Sequence, residues 1–438
     1  MPKLNSESKH AASGLEGAQE NRSEVPFGAT TDATFDAVIV GAGLVGSASA
    51  LALGKAGLKV AIVDAGKALS FDPAIARVKA DDFSARVSAI TPANAEFLRS
   101  LGVWEKLSSA MVLPYRDMSV WDELGTAKID FHALEYQRHE LGFILENQNL
   151  LAALHSEIAL LDNIQFVGET TLLACTIDEN TRRVSLSGGH DLIAKLVVGA
   201  DGSNSSVRRM LGIETREWDY EQTAIVCTVK SEQSHQFCAR QRFSEHGPIA
   251  FLPLADSLQD PQQKARFCSL VWSLDHEQAQ QKLKLSDEAF KQALFAESEG
   301  QLGEILDVSE RFAFPLRQLH AKTYIKPSAV LVGDAAHAIH PLAGQGVNQG
   351  FKDVACLLAI VKQACEQGAE LNHDVFLRRY QRQRQFDNMR MMGAMEGFKR
   401  LFGNADPILR LVRNVGLGVV NKHTFIKRQI VQSAMGLS

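Results

Sequence analysis

Apolar runs break off into glycine at three widely separated places in the sequence. Residues 37–40 form the first; it is continuous rather than alternating, as a strand buried on both faces requires. Gly41-x-Gly43-x-x-Gly46 follows at once, and small and apolar residues then run through Leu53, predicting a helix that Gly57 ends. A second strand over residues 60–63 delivers Asp64. A further buried strand in "KLVVGADGSNSSVRRMLGI" (195–213) breaks at Gly199, and "LVGDAAHAIHPLAGQGVNQGFKD" (331–353) begins as a strand, turns at Gly333 and starts a helix near Val347. Between 106 and 140 and between 216 and 319 the pattern changes. "AIVCTVK", "QRFSE", "IAFLPL" and "FCSLVWSL" are short, apolar or alternating, and predict strands of an antiparallel sheet. Residues 1–34 carry no such periodicity and are expected to be a disordered tail.

Each part of the first unit has a physical role. Gly41 permits a tight turn, Gly43 lets the backbone approach a pyrophosphate, and Gly46 lets the helix pack closely on the strand. The helix N-terminus offers unpaired N–H groups and partial positive charge, so Gly41, Ala42, Gly43, Leu44, Val45 and Gly46 together form a candidate phosphate cradle. Asp64, 18 residues beyond Gly46, can accept hydrogen bonds from a ribose diol. The unit reads as an adenine-dinucleotide site; the acid favours FAD or NAD over NADP, and this unit alone does not choose between the first two. Glycine junctions at 41, 199 and 333 suggest one sheet touching one extended ligand from several loops, which a simple dehydrogenase does not need.

Composition narrows the setting. The 438 residues are 45% hydrophobic, enough for a packed core, and the formal charge of −5 gives no reason to expect nucleic acid. Six cysteines lie scattered without close pairs, which fits a reducing compartment and argues against a disulfide framework or a zinc site. No apolar run approaches the ~18 residues of a membrane span. The N-terminal stretch lacks the apolar core of a secretory signal, so a cytoplasmic location is expected.

Three motifs, GxGxxG, "GADGSNSSVR" and "GDAAHAIHPLAGQGVNQG", occur here in the order and spacing of the flavoprotein aromatic hydroxylases. From residue 35 onward the chain resembles class A FAD monooxygenases of the para-hydroxybenzoate hydroxylase superfamily. Four further segments resemble its ubiquinone-biosynthesis branch: "FSARVSAITPANAEFLRSLGVW" (83–104), "LGFILENQNLLAAL" (141–154), "QRFSEHGPIAFLPL" (241–254) and "YQRQRQFDNMRMM" (380–392). The resemblance implies an α/β fold: a Rossmann-like FAD-binding domain (35–105, 141–215 and 320–375), an inserted antiparallel-sheet substrate domain (106–140 and 216–319) and a C-terminal helical segment (376–438).

It also implies roles. Gly333 and Asp334 would meet the FAD, Asp334 on its ribityl hydroxyls, and Pro341 would lie against the isoalloxazine. Gly344, Gln345 and Gly346, followed by Val347 and Asn348, would approach the pyrimidine edge, where a helix N-terminus stabilises the reduced anion. Arg86 and Gln148 match positions near the FAD phosphate or ring; Asp201 and Arg208 would steady a turn beside the pyrophosphate. His337 is expected to bond to backbone near the flavin and His340 to sit at the pocket rim against substrate; no acid partners accompany them, so no metal is expected. Gly247, Pro248, Phe251 and Pro253 are candidates to line a substrate chamber.

The implied reaction reduces FAD with NAD(P)H, adds O2 at flavin C4a and hydroxylates a polyprenylated phenol, with no protein acid or base required. Alternatives are a hydroxylase of a soluble aromatic acid, an isoprenoid-chain reductase, and a non-catalytic FAD-bound scaffold of a quinone-synthesis complex. From residue 376 onward, 12 Lys and Arg face 3 acids among apolar residues. That segment suits either peripheral contact with a membrane or a ubiquinone-synthesis protein complex, or a solvated helical layer.

Overall fold

The computed structural model describes residues 33–69, 78–107, 111–123, 128–256, 265–339 and 345–402, with side chains for all but 345, 394–396 and 398–402. The expected N-terminal tail, apart from its last two residues, and the end of the C-terminal segment lie outside the described residues, as do His340, Pro341 and Gly344.

The first sheet holds β1 (Ala33–Val40), β2 (Val60–Val63), β8 (Ile164–Val167), β9 (Leu172–Asp178), β10 (Thr181–Leu186), β11 (Asp191–Gly199), β18 (Ile325–Lys326) and β19 (Ala329–Leu331). Its order is β18-β19-β11-β1-β2-β8, with β9 and β10 continuing antiparallel from β11. The central strands run parallel, and Val38, Ile39, Val60, Ile62 and Val197 are sealed from solvent. Parallel strands covered on both faces need continuous apolar runs, which is what their residues supply.

Register places the glycine junctions side by side. Val40 pairs with Val63 on one flank and Gly199 on the other, and Gly199 pairs with Leu331. The chain thus leaves these four strands at one level, with a crevice over β1 where the connections diverge. Ligands of open parallel sheets bind at such a point.

The second sheet contains β5 (Asp117–Asp122), β6 (Lys128–His132), β12 (Thr215–Ser231), β13 (Cys238–Ser244), β14 (Gly247–Pro253), β15 (Phe267–Asp275), β16 (Ile305–Val308), β17 (Phe312–Ala321) and β20 (His337–Ala338). Its order is β20-β17-β12-β15-β14-β13-β5-β6, with β16 beside β12. It departs from the expected antiparallel pattern at one seam, where β13 and β5 are parallel. Helices α5 (His276–Leu283) and α6 (Asp287–Glu297) cover one face through Phe251, Leu270, Trp272, Phe290 and Leu294. The pairing of β20 with β17 stitches the third glycine segment onto this sheet.

A small third sheet joins β3 (Val87–Ile90), β4 (Val112–Tyr115) and β7 (Gly142–Glu146), so residues 112–115 pair with β7 rather than with the second sheet. The remaining helices are α1 (Leu44–Lys55), α2 (Pro92–Ser100), α3 (Asn147–Ile158), α4 (Ser206–Met210), α7 (Gln345–Glu366) and α8 (Asp374–Phe402). α7 begins two residues before the expected start near Val347 and packs on both α1 and α8.

Candidate functional site

The first glycine turn is built by contact as well as by conformation. Gly41 has φ of +103°, and a Cβ there would lie 2.5 Å from the Ala200 carbonyl oxygen. A Cβ on Gly46 would lie 1.8 Å from the Gly41 oxygen, so helix and turn meet without a side chain between them. Gly43 differs: nothing lies within 4 Å of its Cβ position, and it faces a cavity of about 2140 Å³. No side chain caps α1, which leaves its first amides free for an anion. Leu44 and Val45 line the same space.

Asp64 stands beside this turn. Its Oδ2 accepts from the Ala42 amide at 2.6 Å and its Oδ1 from the Gly66 amide at 2.7 Å, fixing the carboxylate at the cavity wall. Beneath the turn, Ser47 Oγ donates to the Ala42 oxygen at 2.9 Å and pairs with His155 Nε2 at 3.0 Å. His155 Nδ1 accepts from the Leu69 amide at 2.9 Å, so the ring is neutral with its proton on Nε2. Burial lowers the affinity of His155 for a second proton.

The second turn is tied to the third. Asp201 caps α4, accepting from the Ser206 and Val207 amides at 2.6 and 3.1 Å. Arg208 donates to the Ser203 oxygen at 2.6 Å and to the Ala335 oxygen at 2.9 Å, clamping the two glycine segments together. Both residues border the cavity, as do Arg86, Gln148, Asp334, Gly346 and Val347. Gln148 Oε1 accepts from Ser84 Oγ at 2.9 Å, and the Arg86 guanidinium lies 5.7 Å from the ring centre of Phe314, across the seam between the FAD side and the second sheet. Asp334 is exposed to the cavity; partial loss of solvent around it raises its pKa, and His337 and Arg86 offset this in part.

Two expected contacts take another form. Asn348 turns away from the cavity: its Oδ1 accepts from the Thr91 amide at 3.0 Å and its Nδ2 donates to the Ala89 oxygen at 2.7 Å, anchoring α7 to β3 and α2. His337 bonds not to backbone but to a carboxylate, its Nε2 lying 2.6 Å from Asp353 Oδ2.

Asp353 is a residue sequence reasoning missed. Fully buried on α7, it also accepts from the Gly333 amide at 2.9 Å and from Arg384 Nε of α8 at 2.7 Å. Arg384 reaches Asn388 Oδ1 at 3.0 Å and Gln349 Oε1 at 3.1 Å, and Asn388 reaches Tyr324 Oη at 3.3 Å. Tyr380 donates to the Leu331 oxygen at 2.8 Å. The "YQRQRQFDN" segment therefore serves as the buried support of the Gly333 turn. A carboxylate between the sealed Phe351 and Val354 was the available signal.

The second sheet supplies the opposite wall, and its register says which residues face it. Across β14, β15 and β12, one row runs Pro248, Ser273, Ala224 and the next Ala250, Val271, Val226; all line the cavity. Leu252 and Ser269 follow. Of the four chamber candidates on β14, Pro248 faces this space. Phe251 is 2% exposed and packs under α5 and α6, while Gly247 and Pro253 share its face by the two-residue strand period. Gly247 instead allows close approach, since a Cβ there would lie 2.3 Å from the Ser273 oxygen.

These residues suit FAD: an open helix N-terminus, a carboxylate held where a ribose would lie, and a cavity well above the ~300–1,000 Å³ of a single drug-sized ligand. Among the described residues no group of side chains forms a metal site. Comparisons agree. A family model described as "FAD binding domain" matches residues 34–392. The chain is 35% identical to 3-demethoxyubiquinol 3-hydroxylase of Escherichia coli (strain K12), covering 93% of this chain and 100% of that protein. It is 34% identical to the mitochondrial ubiquinone biosynthesis monooxygenase COQ6 of Xenopus tropicalis, covering 92% and 94%. Among solved structures, p-nitrophenol 4-monooxygenase PnpA from Pseudomonas putida DLL-E4 superposes with a TM-score of 0.72 at 19% identity, covering 93% of this chain and 99% of that one. The chain belongs to the FAD-binding monooxygenases, in the group of ubiquinone-biosynthesis hydroxylases.

Proposed function

We propose that this enzyme hydroxylates the ring of a polyprenylated phenol on the path to ubiquinone, with NAD(P)H and O2 as co-substrates. One observation carries the reading: a single cavity runs from the phosphate cradle at Gly43 to the apolar floor of the second sheet. Bound FAD supplies the redox chemistry and the activation of O2. The α1 N-terminus and Asp64 would hold its adenosine half, and Asp334, Gly346 and Val347, which line the same cavity, would meet its other half. Ala224, Val226, Ala250 and Val271 offer the ring an apolar surface that excludes water, and no acid or base stands among these floor residues. Positioning is then the protein's main contribution to rate.

A lipid-bound substrate also suits α8. Arg379, Arg382, Phe386, Met389 and Arg390 fall on one stripe at helical spacing, Phe386 and Met389 more than half exposed, and Arg390 borders the cavity. No helix among the described residues is long and apolar enough to cross a membrane, so the contact we propose is peripheral. Sedimentation with anionic vesicles tests it, with retention in the wild type and loss in Phe386→Glu/Met389→Glu expected. The reaction is tested with purified protein: NAD(P)H and O2 are consumed when a prenylphenol is added. Stronger turnover of a soluble hydroxybenzoate, or oxidation indifferent to substrate, contradicts the reading.

A further inference from the structure

On β13, Ala239, Gln241 and Phe243 point to the cavity, while Arg242 points the other way, to Glu297 and its neighbours. Gln241 sits in a row of apolar partners: Val120 and then Ile129 on one side, Ala250 and then Val271 on the other. It is 6% exposed and lines the cavity, and its amide hydrogen-bonds to no protein group among the described residues. Its amide is therefore left to whatever fills the cavity, where Leu or Met would complete a purely structural apolar wall. The neighbouring Arg240 does not serve it, because its guanidinium donates to the His235 and Cys238 carbonyl oxygens.

We infer that Gln241 is a substrate-positioning residue that reads the oxygen substituents of a neutral aromatic ring. A primary amide donates and accepts at once. It matches a phenol hydroxyl beside a second ring oxygen better than a carboxylate, which recruits Arg or Lys. An apolar surround with one such group fixes ring orientation without adding charge to the chamber. The inference rests on the phenol-hydroxylase reading and sharpens its substrate class from phenol or aromatic acid to neutral oxygenated ring.

The test uses the FAD-loaded full-length protein and follows the flavin absorbance as ligand is added. Two matched pairs serve as probes: a prenylated 2-methoxyphenol with the prenylbenzene lacking ring oxygens, and 2-methoxyphenol with toluene. In the wild type the oxygenated member of a pair binds about tenfold tighter, the scale of one well-made neutral hydrogen bond. In the near-isosteric Gln241→Met that preference disappears, while affinity for the oxygen-free member and FAD content hold. Gln241→Leu repeats the measurement should the first variant lose FAD. A preference retained in either FAD-loaded variant overturns the inference and leaves the amide a partner of water only. Failure of the prenylated pair alone, with the short pair behaving as described, removes the prenylphenol reading and keeps Gln241.

Discussion

Asp353 of α7 and Arg384 of α8 meet in the protein interior, Arg384 Nε donating to Asp353 Oδ1 at 2.7 Å with both side chains nearly sealed from solvent. The other oxygen of Asp353 receives the Gly333 amide and His337. Burial alone would raise the pKa of this carboxyl; His337 and Arg384 outweigh burial and hold it below the usual range. The Gly333 turn is thereby hung from a buried charge.

Removing one partner strands the other. Arg384→Ala should destabilise the protein by ~3–5 kcal/mol, the range for breaking a buried pair. Asp353→Asn combined with Arg384→Met should recover much of that loss. Thermal unfolding followed together with release of flavin fluorescence separates the two cases.

Two glycines of the same motif, Gly43 and Gly46, should behave oppositely. In Gly46→Ala the new Cβ meets the Gly41 oxygen at 1.8 Å, so both fold stability and FAD retention fall. In Gly43→Ala the Cβ enters open space from a φ of −69°, which any residue adopts. Its cofactor-free stability should stay within about 0.5 kcal/mol of wild type, while FAD affinity drops at least tenfold. Calorimetry on stripped protein and FAD titration give both numbers.

As the proposed FAD ligand, Asp334 should oppose stability where it would serve binding. Its folded pKa is raised above 3.8, so the stability linked to its neutral form is present below that value and lost as pH rises through the folded one. At pH 7 the cofactor-free Asp334→Asn protein should melt no lower than wild type. Its FAD affinity should be about tenfold weaker, the loss of one charge-assisted hydrogen bond. A lower melting point of the stripped variant would contradict this placement.

Acid should act through histidines. Burial depresses His235 and His320 to about 4. For a lowered histidine, stability is complete above the ordinary 6.5 and is lost as pH falls towards about 4, because the unfolded chain binds protons that the fold refuses. Melting temperature should therefore fall between pH 7 and 5, each histidine contributing at most ~1.4 kcal/mol per pH unit. His320→Gln should flatten the slope.

The nucleotide half was legible because its signals are local. Glycine spacing, a continuous apolar strand and a following acid fix Gly41, Gly43, Gly46 and Asp64 within one stretch of chain. Period two along β14 was also present in the sequence, but which face meets the cavity depends on α5 and α6 covering Phe251, a tertiary fact. Asp353 and Arg384 escaped for the same reason: each is one charged residue on a helix, and only the packing of α7 on α8 shows that they pair. Asn348 lies inside a recognised motif, yet its side chain is committed to Ala89 and Thr91, more than 250 residues earlier.

The central claim is that one cavity brings FAD, O2 and a prenylated phenol together. It is tested most directly by turnover under heavy-isotope O2, with mass analysis of the product. One labelled oxygen on the phenol ring, formed at the expense of NAD(P)H, is the expected result. A product whose new oxygen comes from water, or a reduced prenyl chain with an unchanged ring, would contradict it.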